Sequence, residues 1–384
     1  MAVARAGDTP EVGRDVLDPP RQPSVWARLF PARGAALGLG ASPAPSLTFI
    51  LTGMLLGPQV LAVVTTDVIV RMDPVVSIAL AALGVFVGLG LAGGSSRGEG
   101  RLLAAALLEV ALSVAVVAGL LYVLLVRWAI PLPASPWLFA LAAGTCAGAS
   151  AAVRARGSGD AAPVARLVDL DDAPLVVLAA MAVAIAGARP VGHALVLTAG
   201  AALCAGVAGW LLFERARSEA ERGVFVAGII ALLGGVGAHA GTSPLLSGTL
   251  AALLWAWSPG RADPIIAADL RKLQHPLVAL LLIVAGASVQ WHAAVLWIAA
   301  PLVMLRLIGK LLASVVAARV AVVPTGLLAT VLLPPGVLGV AIALNVQQAL
   351  GTRDMLLLSG VTVAAVASEL LTVFLRTEEI EETS

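Results

Sequence analysis

The sequence predicts an all-α polytopic membrane protein with about twelve transmembrane helices, and three observations lead there. Of its 384 residues, 60% are hydrophobic and mean hydropathy is +0.99, while 12% are charged, against about 25% in ordinary soluble domains. From Gly34 onward, apolar segments approaching the roughly 20 residues needed to cross a bilayer follow one another with short polar breaks. Trp128, Trp137, Trp210, Trp255, Trp257 and Trp291 fall near the ends of those segments, as expected for indole rings at the headgroup level.

The elements follow in order. Residues 1–33 hold prolines, arginines and acids without an apolar core and are expected to be a disordered cytoplasmic tail. Spans are predicted near 36–57, 75–93, 102–126, 136–153, 173–188, 194–213, 223–241, 243–257, 276–291, 293–317, 327–350 and 355–375. Residues 376–384 form an acidic tail. With the N-terminus in the cytoplasm, only Arg71, Arg127, Arg189 and Arg353 fall outside, Arg306 and Lys310 lie within a span, and all other Lys and Arg lie inside. That bias places both termini in the cytoplasm and the protein in a cell inner (plasma) membrane.

Composition also excludes functions. A net charge of +1 argues against a nucleic-acid partner, and Cys146 and Cys204 both sit in apolar segments, so no disulfide framework is implied. Gly309-Lys310 is followed by leucine, not Ser or Thr, no H-E-x-x-H occurs, and the four histidines are far apart. Neither a P-loop nor a metal-ligand set is therefore expected. The chain reads as a non-enzyme with no resident cofactor. Gly84 with Gly88, Gly144 with Gly148 and Gly237 with Gly241 recur at four-residue spacing, which lets helix backbones approach closely.

Gly53 to Gly94, GMLLGPQVLAVVTTDVIVRMDPVVSIALAALGVFVGLGLAGG, carries Gly53, Gly57, Pro58, Gly84, Phe86, Gly88 and Leu91. It resembles the start of the monovalent cation:proton antiporter superfamily. Ala142 to Arg156 resembles that family's first broken helix, with Ala149, Ser150 and Ala151 where a Thr-Ser-Pro element is usual; only Ser150 survives. Leu305 to Ala313 resembles the helix that brings a lysine, here Lys310, to the ion site. Val331 to Asn345 resembles the second broken helix, interrupted at Pro334, Pro335 and Gly336. The family's usual first helix has no counterpart.

The resemblance implies inverted repeats with two broken helices, whose half-helix dipoles and free carbonyls converge on a midplane site. Spans 3 to 5 and 10 to 12 would be the repeated trios, an offset of seven, giving a core domain at about 101–189 and 293–375 within a membrane domain of 34–375. The remaining spans would be a scaffold, with a surface for a homodimer. The implied partners are the lipid bilayer, Na+ or K+, and protons.

Two readings of Asp171 and Asp172 stand side by side. They precede Ala173-Pro174 and an apolar run of about 16 residues, roughly 24 Å of helix, which suits a capping aspartate and a first-turn proline. Aligning Pro174 with the start of the family's helix would put its acidic pair some twelve residues later, at Ala186 and Gly187. The ion-site reading instead requires the helix to begin near Val164 and to hold Arg166 and Asp169. A separation of Asp171 from Lys310 within about 5 Å would favour that reading, whereas charges beyond about 12 Å would be largely screened.

Lys310 and Arg306 lie one turn apart within a span, and two intramembrane cations need acid, carbonyls or water, unless Arg306 snorkels outward. Glu109 and Glu369 are alternative acidic partners, either of which is as readily a protonated, inert residue. Asn345, with Gln347 and Gln348, lines the second broken helix or makes a packing hydrogen bond. Three functions remain open: a cation/proton exchanger, a descendant of that fold without coupling (scaffold, accessory subunit or organic-solute carrier), and a bile-acid-type symporter.

Overall fold

A computed structural model describes residues 43–92, 99–128, 132, 135–148, 161–257, 262–351 and 355–382. The tail of residues 1–33 and the Ala149-Ser150-Ala151 element lie outside the described residues. Fourteen helices are described, and each predicted span meets one of them or, for 327–350, a pair.

Outside the ranges expected for the core, and termed scaffold helices for that reason, are α1 (Pro43–Leu56), α3 (Asp73–Ala92), α7 (Val191–Arg215), α8 (Glu219–Ala240), α9 (Pro244–Trp257) and α10 (Ala262–Ala287), with a short α2 (Thr66–Arg71) between the first two. Within those ranges, and termed core helices, are α4 (Glu99–Trp128), α5 (Pro136–Gly148), α6 (Ala161–Ala186), α11 (Ala293–Ala321), the pair α12 (Thr325–Leu332) and α13 (Val337–Leu350), and α14 (Leu356–Glu382). Helix α14 continues through residues expected as an acidic tail.

Contacts among these helices obey a pseudo-twofold relation. α4 packs on α11; α4 on α5 and α6 is matched by α11 on α12 and α14; α6 on α13 is matched by α5 on α14. In the scaffold, α1 on α10 is matched by α3 on α9. Each match is what an offset of seven spans produces, so the repeat is visible in which helices touch.

Scaffold helices meet backbone to backbone. A Cβ on Gly84 would overlap the carbonyl oxygen of Leu245, and one on Gly248 that of Ala81, so α3 and α9 close only because both residues lack a side chain. Gly241 has a different task from the packing expected of it: with φ of 58° it is the left-handed cap of α8. Trp255 also departs from expectation. It is 1% exposed and donates Nε1–H to the Gly206 carbonyl at 2.8 Å, so it ties α9 to α7 instead of lying at a headgroup. The indole fits because Gly209 leaves room above the ring.

Helix α6 is the main correction. It starts at Ala161, twelve residues before the predicted span, and passes through Pro174 without ending. Val164, Leu167, Val168 and Leu175 are buried at spacings of three, four and seven. The first three and Leu170 pack with Leu102, Ala105, Ala317 and Leu332 of the surrounding core helices. Tertiary burial of this stripe outweighs the single backbone hydrogen bond lost at Pro174. Asp171 and Asp172 are consequently mid-helix and cannot be N-caps. The alignment that placed an acidic pair at Ala186 and Gly187 also lapses, because Ala186 is the last residue of α6.

Candidate functional site

Asp171 lies three residues after Val168 and four before Leu175, on the buried stripe of α6, and is 0% exposed. Across from it, α11 presents one face made of Leu302, Arg306, Gly309, Lys310, Ala313 and Ala317, all buried. From α4 comes Glu109, also 0% exposed. Lys310 Nζ is 2.9 Å from Glu109 Oε1 and 3.7 Å from Asp171 Oδ2. The lysine thus bridges carboxylates from two other core helices. Its distance to Asp171 is inside the 5 Å that separates the ion-site reading from the capping one. Asp172 is part-buried beside them, and its Oδ1 has no hydrogen-bond partner among the described residues.

Arg306 does not snorkel. It is 5% exposed and its two terminal nitrogens donate to the carbonyls of Leu333 at 2.5 Å and Pro334 at 2.9 Å. Those carbonyls are free because α12 ends at Leu332 and α13 starts only at Val337, with a bend at Leu333-Pro334 and an extended Gly336 between them. Prolines cannot donate to continue a helix, so the break is fixed by sequence. The guanidinium then satisfies the partial negative charge at the exposed end of α12. Beside it, Cys146, Arg306, Gly336, Gly339 and Ser368 line a small cavity of about 20 Å³, enough for about one water.

The other predicted residues are placed elsewhere. Glu369 of α14 accepts a hydrogen bond from Ser46 of α1, so it is not the partner of Lys310. Asn345 Nδ2 donates to Ser243 Oγ at 2.7 Å, a buried bond from α13 to the start of α9. Gln348 accepts from Ser77 Oγ and donates to the Asp73 carbonyl, joining α13 to α3. These contacts are polar bridges between core and scaffold.

Arg166, which the ion-site reading required the helix to hold, has contacts that the sequence did not foretell. Arg166 donates to the Gly90 and Leu91 carbonyls at 2.9 and 2.7 Å and pairs with Glu99 at 2.6 Å. It closes the end of α3 against α6 and α4. Its spacing of five before Asp171 turns it off the buried stripe, a signal readable once the helix is extended to Ala161.

The charge inventory defines what the site can do. Glu109, Asp171 and part-buried Asp172 stand against Lys310 and Arg306, and Asp169, one turn before Asp172, also acts on it, so the fully ionised cluster carries surplus negative charge. A buried uncompensated charge is costly. A bound monovalent cation or a proton lowers it by one.

No family model matches the chain, and no curated protein matches it in sequence. Among solved structures, the chain is similar to a sodium proton antiporter from Methanocaldococcus jannaschii, with a TM-score of 0.58 and 15% identity over 85% of this chain and 92% of that one. The chain is an all-helical integral membrane protein with the sodium/proton antiporter fold.

Proposed function

We propose that the protein is a secondary transporter that exchanges a monovalent cation, Na+ or K+, for protons by alternating access. The observation that carries this is the buried cluster on α4, α6 and α11, with three carboxylates against two basic side chains. Its surplus charge makes cation and proton alternative occupants of one place, which is the minimum an exchanger needs. Asp171 and Asp172 are the exchanging groups, Lys310 stands at the edge of their site, 3.7 Å from Asp171 Oδ2, and Arg306 holds the second break of the core. Ser150 is assigned to the same site through the family resemblance.

Alternating access then consists of the core moving against the scaffold. The scaffold suits a fixed part, because its α3–α9 seam is held backbone to backbone. Asn345–Ser243 and Gln348–Asp73 are bonds that must exchange partners during that movement. No resident cofactor is required. Both termini are assigned to the cytoplasm of a cell inner membrane, and the scaffold is the surface assigned to a homodimer.

Reconstitution into proteoliposomes carrying a pH gradient tests the proposal. Addition of Na+ or K+ should dissipate the gradient, and a protein inert to every alkali cation would sink it. The second reading, the same fold without coupling, is favoured by Ala149 and Ala151 flanking Ser150, and that null result is its signature.

A further inference from the structure

We infer that Glu109 is the resident counter-ion of Lys310 and that, by holding the ammonium, it reserves Asp171 and Asp172 for the exchanged ions. The inference deepens the exchange proposal and rests on it. Three carboxylates surround one lysine, so the question is which of them the lysine neutralises.

Distance answers first. Nζ stands at 2.9 Å from Glu109 Oε1 and at 3.7 Å from Asp171 Oδ2, two ion pairs of which the one to Glu109 is the closer by 0.8 Å; neither has hydrogen-bond geometry. Packing answers second. Gly309, next to Lys310, lies against α4 so closely that a Cβ there would stand 3.3 Å from the Ser113 carbonyl and 3.6 Å from its hydroxyl. Ser113 is one turn beyond Glu109 on the same helix. The lysine stem therefore leaves α11 where it is pressed on α4, and Glu109 is the first carboxylate it meets. Helix α6 reaches the ammonium from farther off.

Other charged groups do not take Glu109's place. Arg306, one turn from Lys310, is itself a cation that donates to the Leu333 and Pro334 carbonyls and interacts at longer range with Glu109 and Asp171, so it adds no rival acid for the lysine. On α6, Asp169 lies one turn from Arg166, which faces Glu99 and the end of α3. On α14, Glu369 faces Ser46. Among the described residues of α5, α12 and α13 no side chain is charged.

With Glu109 and Lys310 neutral as a pair, the aspartates alone set the occupancy of the site. Glu109 is a positioning residue: it acts on the cation through the lysine it restrains. Removing it frees the ammonium to settle on Asp171, where it competes with the transported ion.

The test measures the Na+ concentration giving half-maximal thermal stabilisation of the purified full-length protein, alongside half-maximal exchange in proteoliposomes. Glu109→Gln should raise both by about tenfold or more, the scale of a lost close charge pair. Glu109→Gln combined with Lys310→Gln should return both close to the wild-type value, since no ammonium is left to compete. A single variant with unchanged half-saturation and lower maximal rate would overturn the inference, because that is a merely structural glutamate. A double variant as weak as the single would overturn it too, because Glu109 would then be a cation ligand itself. If Glu109→Gln does not accumulate, Lys310→Gln alone decides: half-saturation should fall or hold, and a rise overturns the inference. Wild-type protein that is stabilised by Na+ but exchanges nothing defeats the exchange proposal and leaves the pair testable; wild-type protein that no cation stabilises defeats the inference.

Discussion

The α3–α9 seam and the α4–α6–α11 centre are both buried helix contacts, and they are built from opposite materials. At the seam, Gly84 and Gly248 bring backbones together and no charge is present. At the centre, side chains as long as Lys310 and Glu109 fill the space between helices, and two more acids stand beside them. A seam of glycines has one way to pack. A cluster of charges has several, depending on which ion is there, and under the proposed exchange this difference separates a part that stays from a part that moves.

The largest change should come from the centre. Lys310→Met leaves Glu109 and Asp171 facing each other with their shared cation gone, and removing one member of a buried pair costs about 3–5 kcal/mol. Thermal unfolding in detergent should show the deepest fall of the series, and an unchanged Tm would mean the cluster is hydrated. Next is the seam: Gly248→Val places a side chain into the Ala81 carbonyl, and overpacking of this kind costs about 1–3 kcal/mol. Its expected sign is a loss of folded protein at every pH and salt concentration, since no charge is involved.

The twelve apolar runs were legible because burial in lipid or protein requires them, and the second break was legible from Pro334-Pro335-Gly336. The start of α6 was not. Arg166, Asp169, Asp171 and Asp172 lower the hydropathy of its first half, so a search for apolar runs begins at Ala173. The helix was still written in the sequence, as Val164, Leu167, Val168 and Leu175 at helical spacing with Asp171 on the same face. The role of Glu109 was only half legible. Its depth within a span was readable, but its pairing depends on how α11 rests on α4, which no local pattern encodes.

Smaller effects sharpen the same contrast. Asn345→Ala removes the bond from α13 to Ser243, about 1 kcal/mol of stability, and, if that bond joins the parts proposed to move and to stay, should alter the maximal exchange rate more than the cation half-saturation. Trp255→Phe loses the bond to the Gly206 carbonyl within the scaffold, again about 0.5–1.5 kcal/mol, and should leave exchange by the folded protein unchanged. A change in half-saturation from Trp255→Phe would mean that the scaffold is not a fixed part.

The central claim is that the aspartates of α6 carry the exchanged ions, and the most direct measurement is cation-driven dissipation of a pH gradient by protein bearing Asp171→Asn and Asp172→Asn. Wild-type vesicles should respond to Na+ or K+, and the double variant, reconstituted in equal folded amount, should not respond at all. Exchange that survives both substitutions would contradict the account and move the site away from α6.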